Sequence, residues 1–375
     1  MKYIIHIVSL ICLCSCTRSL QSTLVLPISE NYEYIGILNK GDQNASKYIL
    51  FWKRNFNPEV KVLNTSGNIV KTIPLINAEA AVGRVTNVWA TSIDSLYVYS
   101  NITGKILLMN NIGIPIYTRS ISDYAVDDDE NQYALYAPYV QEVNVNNNKE
   151  LIFTTFWINN QKKYSNNSGE FSLEIIRHNI ASGALMCKIN LSDIDNDIIK
   201  SCYGFKLTDI IELSDADKSL FDPFFKTLVI NNRFYLVSIY SKYVYELNND
   251  LSIKRSIQIL SDSEIAYPVS PDMEDPFKKL DELGIKENFV VNILYNYEEE
   301  KLVVIVKDGI AKENELFYFP FKVLLFDKDF NRKEKDISIK SYEYKPSSSF
   351  IINGNLYIEK KNEKKNNKIY DIINL

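Results

Sequence analysis

A repeat of short strands is the sequence feature that most restricts how this chain can fold. Runs of β-branched and aromatic residues recur along its 375 residues, separated by turns rich in Asn, Asp and Gly. This pattern is typical of strands joined by tight turns. Two hairpins show it most clearly, at 62–73 and 108–121, and weaker copies lie at 176–189, 243–259 and 323–339.

Another pair of predicted strands precedes each of these hairpins, and a sixth pair lies near the C-terminus. The second strands of those pairs begin near Tyr48, Ser95, Lys149, Phe234, Lys301 and Leu356. Four strands per unit and a period of about 50 residues are typical of a β-propeller. The sequence therefore predicts an all-β fold, a six-bladed β-propeller with short helices in its loops.

The last unit lacks an outer strand, because the chain ends soon after 369–373. An apolar segment at 23–28 has no partner at the other end of the chain and looks like the other outer strands. We expect these two segments to pair, so that the N-terminal strand closes the last blade. Closure would protect strand edges that otherwise invite aggregation.

Connection lengths give the predicted propeller two different faces. In each blade, the turns between strands one and two and between strands three and four share one face, and the remaining connections share the other. The long segments mostly belong to the second face, which we call the long-loop face. They are 122–138, 157–170, 191–225, 260–287 and 307–319. Within 260–287, Asp275, Pro276 and Gly284 suit the start and end of a helix. Since loops usually carry binding sites, we predict that this face is functional.

The N-terminus has the features of an export signal. Lys2 precedes an apolar run at 4–13, which is too short to span a bilayer. The run ends in Leu13-Cys14-Ser15-Cys16, which fits a bacterial lipidation motif. We expect residues 1–15 to be a signal peptide, Cys16 to be lipidated, 16–22 to be the tether and 23–375 to be one propeller domain. An ordinary signal peptide with a chance cysteine is the alternative.

The same region predicts a location and one partner. A lipid on Cys16 would make the membrane a partner of the chain. Thr17 stands where an aspartate commonly marks retention in the inner membrane. We therefore expect an outer-membrane lipoprotein, on the periplasmic side or at the cell surface.

The lipidation motif, the closing strand and the repeat units together resemble a known group of proteins. Two short stretches add to this, Val-Gly-Arg-Val at 82–85 and Ile-Asp-Ser-Leu-Tyr-Val at 93–98. The chain resembles the six-bladed β-propeller lipoproteins common in Bacteroidota, whose function is unassigned. The resemblance implies a propeller on a lipid anchor, and it supplies no catalytic residues. A glycine-rich loop frequent in that family is replaced here by Asn77-Ala78-Glu79-Ala80-Ala81.

Composition excludes several kinds of chemistry. The net charge of −5 argues against nucleic acid as a partner. After removal of the signal, His178 is the sole histidine, which argues against multi-histidine zinc sites and a Ser-His-Asp triad. No cofactor is expected apart from a weak calcium candidate at Asp193, Asp195 and Asp197, where the glycine and glutamate of a calcium loop are missing. Cys187 and Cys202 form either a disulfide bridge or two free thiols.

Aromatic and basic side chains crowd the long loops and the nearby strand ends, where they suit sugar or peptide ligands. The candidate ligand-binding residues are Arg54, Arg84, Trp89, Tyr136, Tyr139 and Trp157. We expect a monomeric body that binds a protein, peptide or glycan on the long-loop face. The alternative is a glycan-active hydrolase or lyase that uses loop carboxylates. The scarcity of histidine favours the non-enzymatic function.

Overall fold

Strands make up most of the described chain. The computed structural model describes residues 22–39, 44–55, 57–100, 102–120, 124–126, 132–145, 148–157, 186–190, 225–230, 233–238, 242–261, 263–264, 288–312, 317–333 and 336–375. Within these ranges the strands form antiparallel four-stranded sheets, six in number. The prediction of an all-β propeller is confirmed.

The elements are numbered in chain order. The strands of the first half are β1 (Ser22–Leu26), β2 (Tyr32–Leu38), β3 (Tyr48–Lys53), β4 (Glu59–Asn64), β5 (Ile69–Pro74), β6 (Asn87–Ser92), β7 (Ser95–Ser100), β8 (Lys105–Met109), β9 (Pro115–Ser120), β10 (Tyr124–Val126), β11 (Gln132–Val145) and β12 (Asn148–Trp157). Those of the second half are β13 (Met186–Asn190), β14 (Phe225–Ile230), β15 (Arg233–Ser238), β16 (Tyr243–Leu247), β17 (Ile253–Gln258), β18 (Val290–Asn296), β19 (Lys301–Lys307), β20 (Phe321–Phe326), β21 (Ile337–Ile339), β22 (Tyr344–Ile352), β23 (Asn355–Lys360) and β24 (Lys368–Asn374). The helix of the described part is α1 (Ile76–Val82).

The two ends of the chain share one sheet, which we call the closing sheet. Its strand order is β1-β24-β23-β22, so the N-terminal strand is its outer edge. In the antiparallel register Thr23 lies opposite Asp371, and Leu26 lies opposite Lys368. The predicted pairing of the N-terminal strand with the C-terminal strand is confirmed.

The structure has five blades of the expected pattern, not six. Four are built from consecutive strands, β2–β5, β6–β9, β14–β17 and β18–β21, and the closing sheet is the fifth. The first strands of neighbouring blades contact one another, as β2 does with β6, β14 with β18, and β18 with β22.

The sheet of β10–β13 departs from that pattern and corrects the expected count. Here the second strand, β11, contacts β6 and β14, although a first strand makes these contacts in the blades. The third strand, β12, pairs directly with β13, which the sequence had placed in an outer hairpin at 176–189. This sheet differs because β11 is long. It has 14 residues, and its first residues pair with the short β10, which takes the position of the first strand. The expected long loop 122–138 is therefore partly strand.

The middle strands of the blades are buried on both faces, because neighbouring sheets stack on them. In β19 every residue after Lys301 is buried, and β7 is buried from Leu96 onward. Outer strands such as β5 and β9 are mostly exposed. A continuous apolar run is the sequence signal of a strand buried on both sides.

The turns between the third and fourth strands of the blades share one conformation. Asn64 accepts hydrogen bonds from the backbone N–H groups of Ser66 and Asn68, and Gly67 follows three residues after it with φ 84°. The other blades with consecutive strands repeat the spacing with the pairs Asn110 and Gly113, Asn248 and Leu251, and Asp327 and Phe330, where the fourth residue always has positive φ. Asn and Asp favour such turns because their side chains bond the backbone two residues on.

Helix α1 occupies the segment that replaces the glycine-rich loop. Ala and Glu are good helix formers, and Gly83, with φ 81°, ends the helix. Ala78 and Val82 are buried between the first and second blades. The helix expected around Asp275 lies outside the described residues. No helix in the described ranges is long and apolar enough to cross a membrane.

Candidate functional site

A cleft of about 680 Å³ lies between the closing sheet and the first blade, and we call it the seam cleft. Its lining residues are Glu30, Asn31, Tyr32, Glu33, Tyr34, Lys53, Arg54, Asn55, Lys345, Ser347, Ser348 and Lys368. Pockets that hold small ligands or short segments of larger ones have volumes of roughly 300–1,000 Å³. The cleft is therefore large enough for a ligand of that size.

The strand directions place this cleft on the long-loop face. Strand β2 begins at Tyr32 and β3 ends at Lys53, and β24 begins at Lys368, all at the cleft. Two kinds of connection meet there. One joins the fourth strand of a blade to the first strand of the next blade, and the other joins the second and third strands of one blade. Of the long segments predicted for this face, most of 157–170, 191–225 and 260–287 lies outside the described residues.

Aromatic rings and loose ion pairs hold three of the cleft cations. The Arg54 guanidinium lies 5.1 Å from the ring centre of Trp52 and 3.8 Å from the Glu33 carboxylate. The Lys345 ammonium lies 5.4 Å from the Phe317 ring, and that of Lys53 lies 3.9 Å from Glu59. In a cation–π contact the ring attracts the cation but carries no net charge that would neutralise it. The cleft thus offers positive charge that no short ion pair of the described residues neutralises.

The fourth cation, Lys368, has a structural role. Its ammonium donates a hydrogen bond of 2.8 Å to Glu359, and both side chains are buried. Tyr370 donates a longer bond of 3.4 Å to the other oxygen of Glu359. Burial, and then the charge of Glu359, raises the pKa of Tyr370 well above its usual value. Breaking a buried ion pair by removing one partner costs about 3–5 kcal/mol. The pair of Lys368 and Glu359 therefore stabilises this wall of the cleft.

A bulge in β22 forms the other wall. Pairing with β23 is regular up to Lys345 and resumes at Phe350, so the residues between them are out of register. The buried Ser349 donates to the Pro346 carbonyl at 2.7 Å, and Asn292 donates to the Ser349 hydroxyl at 3.0 Å. These bonds fix the bulge from inside, while Ser347 and Ser348 line the cleft. Bulges next to sites commonly re-aim side chains in this way.

The two cleft tyrosines are held neutral at physiological pH. Tyr34 stacks on Phe350 with ring centres 5.1 Å apart, and burial raises its pKa. Burial also raises the pKa of Tyr32, followed by its hydrogen bond to Glu59. The raised pKa values argue against a phenolate base near pH 7, and in the structure Tyr34 packs on Phe350 while Tyr32 donates a hydrogen bond to Glu59.

The two carboxylates that line the cleft are open to solvent. Glu30 has a side chain 51% exposed and lies 3.1 Å from Lys365, and Glu33 is 62% exposed. A glycosidase acid is usually buried, because burial raises its pKa into the working range. The described residues also contain no group of three potential metal ligands.

The structure places the sequence-predicted ligand residues in different parts of the molecule. Arg54 lines the seam cleft, whereas Arg84 is exposed beside Gly83 at the end of α1. Trp89 stacks on Tyr97 at 5.4 Å in the second blade, and its buried indole N–H has no partner among the described residues.

The remaining predicted residues sit on strands or outside the described ranges. Tyr136 and Tyr139 lie on β11 and Trp157 ends β12, where Tyr136 is opposite Thr154 and Trp157 is opposite Tyr133 in the register. Cys187 lies on β13 opposite Phe153. Residues outside the description are Cys16, His178, Asp193, Asp195, Asp197 and Cys202.

Sequence reasoning missed the cleft residues Lys53, Lys345, Ser347 and Ser348. The signal that was present is Pro346 followed by three serines inside an apolar strand, since proline within a strand marks an edge or a bulge.

Comparisons with known proteins support the fold. No family model matches the chain, and no curated protein matches it. A solved structure of a DUF4221 family member from Bacteroides vulgatus is similar to it, with a TM-score of 0.67 and 12% identity over 95% of this chain and 98% of that one. A putative exported protein from Bacteroides fragilis gives a TM-score of 0.46 and a streptogramin B lyase gives 0.40, each with 12% identity over 94% of this chain and 94% and 96% of theirs. At 12% identity, the likeness to the DUF4221 structure shows a shared fold.

Proposed function

We propose that this protein is a lipid-anchored binding module of the bacterial outer membrane, and that its seam cleft takes a carboxylate-bearing segment of a protein, peptide or glycan. The cleft lies on the long-loop face, and a lipid on Cys16 would tether the body by a short segment before Ser22. The single observation that carries the proposal is the set of loosely paired cations, Arg54, Lys53 and Lys345, around one cleft.

Polar donors beside these cations support an anionic ligand. Ser347 and Ser348 present hydroxyl groups on the wall next to Lys345. Hydrogen bonds from charged donors to a carboxylate are about twice as strong as neutral ones, and Arg can bind both carboxylate oxygens. The exposed Glu33 carboxylate lies 3.8 Å from Arg54. A ligand carboxylate that binds Arg54 would displace it.

The alternative of a glycan-active hydrolase or lyase has less support. It needs an acid that burial keeps protonated and a second carboxylate at a set distance from it. Glu30 and Glu33 are both exposed and each has a cation nearby. Binding therefore accounts for the cleft better than catalysis does.

The test is a binding array with matched charges. Purified protein is titrated with tetragalacturonate and hexaglutamate, and with their counterparts maltotetraose and hexalysine. The proposal expects binding of at least one acidic probe, weakened by added salt, and none of hexalysine. Preference for maltotetraose would contradict the anionic ligand, and cleavage of a glycan probe would favour the enzymatic alternative.

A further inference from the structure

Exposed aliphatic side chains concentrate in one sector of the described chain. They lie on the outer strand of the closing sheet, on the outer strand of the first blade, at the first residue of α1, and on the outer strand of the second blade and the turn before it. Between 38% and 58% of each side chain is exposed, and the set is Val25, Ile69, Val70, Ile76, Ile112, Ile114 and Ile116. We call this set the apolar rim.

Contacts between neighbouring sheets make the rim continuous. Gly67, in the turn before Ile69, packs so closely on β1 that an added Cβ would lie 3.3 Å from the Val25 carbonyl oxygen. Gly113, between Ile112 and Ile114, packs in the same way on Pro74 at the end of β5, where the added Cβ would lie 2.6 Å from the carbonyl oxygen. The rim thus runs from β1 across β5 to β9.

Helix α1 joins the same surface. Asn77, the neighbour of Ile76, donates a hydrogen bond of 3.0 Å to the Gly113 carbonyl. Ile76 therefore lies next to the turn that carries Ile112 and Ile114. Contiguous apolar patches of this kind usually mark a surface that contacts a protein or a membrane.

Charge favours a membrane as the occupant. The rim segments 22–28, 68–76 and 110–120 contain no Asp or Glu. They contain the cations Lys71 and Arg119, on β5 and β9. Apolar side chains flanked by basic ones suit the interface of a bilayer with anionic lipids.

The position of the N-terminal strand favours the same occupant. Strand β1 is part of the rim and begins at Ser22. Six residue steps separate Ser22 from Cys16, which is at most about 20 Å of extended chain. A lipid on Cys16 would hold the rim within that distance of the bilayer.

We infer that the apolar rim rests on the membrane surface, so that the propeller lies with this edge against the bilayer. The inference rests on the lipid anchor of the proposed function. The seam cleft, which opens on the long-loop face, stays accessible to solvent.

Photo-crosslinking tests this orientation. The full lipidated protein is placed in nanodiscs of phosphatidylcholine and phosphatidylglycerol that carry a diazirine lipid, and crosslinked peptides are identified by mass spectrometry. We expect crosslinks in 22–28, 68–76 and 110–120. Crosslinks spread over the turns of every blade, or absent from the body, would overturn the inference. So would a rim without crosslinks in a protein that mass photometry shows to be a dimer, because a second copy would then cover the rim.

Matched variants distinguish an effect of the apolar rim on crosslinking from an effect of lower surface hydrophobicity in general. Ile112→Ser with Ile114→Ser should lower rim crosslinking about tenfold, which corresponds to about 1.4 kcal/mol. Ile102→Ser with Ile310→Ser changes two isoleucines outside the rim that are at least as exposed, and should leave rim crosslinking unchanged. Equal effects of the two double variants would overturn the inference. Intact mass of the protein reports the lipid on Cys16 separately, so a missing anchor is distinguished from a wrong orientation.

Discussion

The Thr23 hydroxyl donates a hydrogen bond of 3.0 Å to the Asp371 carboxylate, and these residues are 348 positions apart in the chain. This bond joins the first strand of the propeller to the last. Asp371 is buried and also accepts bonds from Tyr344 at 2.8 Å and Lys360 at 3.2 Å. One carboxylate therefore collects three donors at the point where the ring closes.

Replacing Asp371 should weaken the closure of the ring. In Asp371→Asn the amide NH₂ would face either the Thr23 hydroxyl or the two donors that share the other oxygen, Tyr344 and Lys360, and the negative charge that all three bonds use would be lost. Hydrogen bonds to charged groups contribute about 1.5–3 kcal/mol, and we expect a loss of about 2 kcal/mol in the free energy of unfolding. Chemical denaturation measures it. Thr23→Val removes one partly exposed bond and should cost under about 1 kcal/mol; a larger cost for Thr23→Val than for Asp371→Asn would contradict this account.

The buried pair of Lys368 and Glu359 should be sensitive to the loss of either partner. Lys368→Met leaves a carboxylate buried beside Tyr370, with an expected cost of about 3–5 kcal/mol in unfolding free energy. Adding Glu359→Gln to Lys368→Met should recover part of that cost. The control is Lys365→Met, since Lys365 is exposed and its pair with Glu30 contributes at most about 1 kcal/mol. Simple additivity of the two buried substitutions would mean that the pair is not coupled.

Acid should weaken the contact between the blade of β14–β17 and the blade of β18–β21, which Glu264 and Arg332 join. Burial alone would raise the pKa of Glu264, but hydrogen bonds from Arg332 and Ser261 lower it to about 2. Since the pKa in the folded state is below the usual value of about 4.5, this stabilisation is full above pH 4.5 and is lost as the pH falls toward 2. Its magnitude is at most about 3 kcal/mol.

Denaturation of the wild type and of Arg332→Met at pH 6 and pH 3 checks this pH dependence. The wild type should lose more stability between the two values than the variant does, because the variant no longer holds the Glu264 carboxylate charged. Parallel losses in the two proteins would show that this carboxylate does not contribute.

Two glycines in turns allow the cost of a positive φ angle to be measured separately from the cost of a steric clash. Gly113 and Gly354 have similar positive φ angles, 82° and 76°. An added Cβ at Gly113 meets the Pro74 carbonyl at 2.6 Å, whereas at Gly354 the nearest atom is 3.4 Å away, at Glu299. Gly354→Ala should cost about 1–2 kcal/mol from the left-handed backbone alone. Gly113→Ala should cost more, measured by thermal unfolding, and equal costs would show that the turn moves without penalty.

Local patterns account for the part of the fold that could be predicted. Apolar runs and Asx turns placed second strands near Tyr48, Ser95 and Lys301, and the structure begins β3, β7 and β19 at these residues. These signals lie within a few residues of each other, so they can be interpreted without a tertiary structure. The sheet of β10–β13 was harder to predict, because the order of its strands depends on contacts of β11 with two other sheets.

The seam cleft depends on relationships that sequence spacing does not carry. Arg54 and Lys345 are nearly 300 positions apart, and they share a cleft because the closing sheet and the first blade are neighbours. The bulge beside Lys345 is fixed by Asn292 on another blade. Trp52, whose ring contacts Arg54, is itself buried because neighbouring sheets stack on β3.

Affinity of the seam cleft for an acidic probe is the measurement that tests the central proposal most directly. Calorimetric titration with the acidic probe that binds best compares the wild type with Lys345→Gln and Arg54→Gln, and with Lys312→Gln, which changes a lysine outside the cleft lining. The account predicts roughly tenfold weaker binding for each cleft variant, about 1.4 kcal/mol, and wild-type affinity for the control. Wild-type affinity in both cleft variants, with the fold intact, would contradict the assignment of this cleft as the binding site.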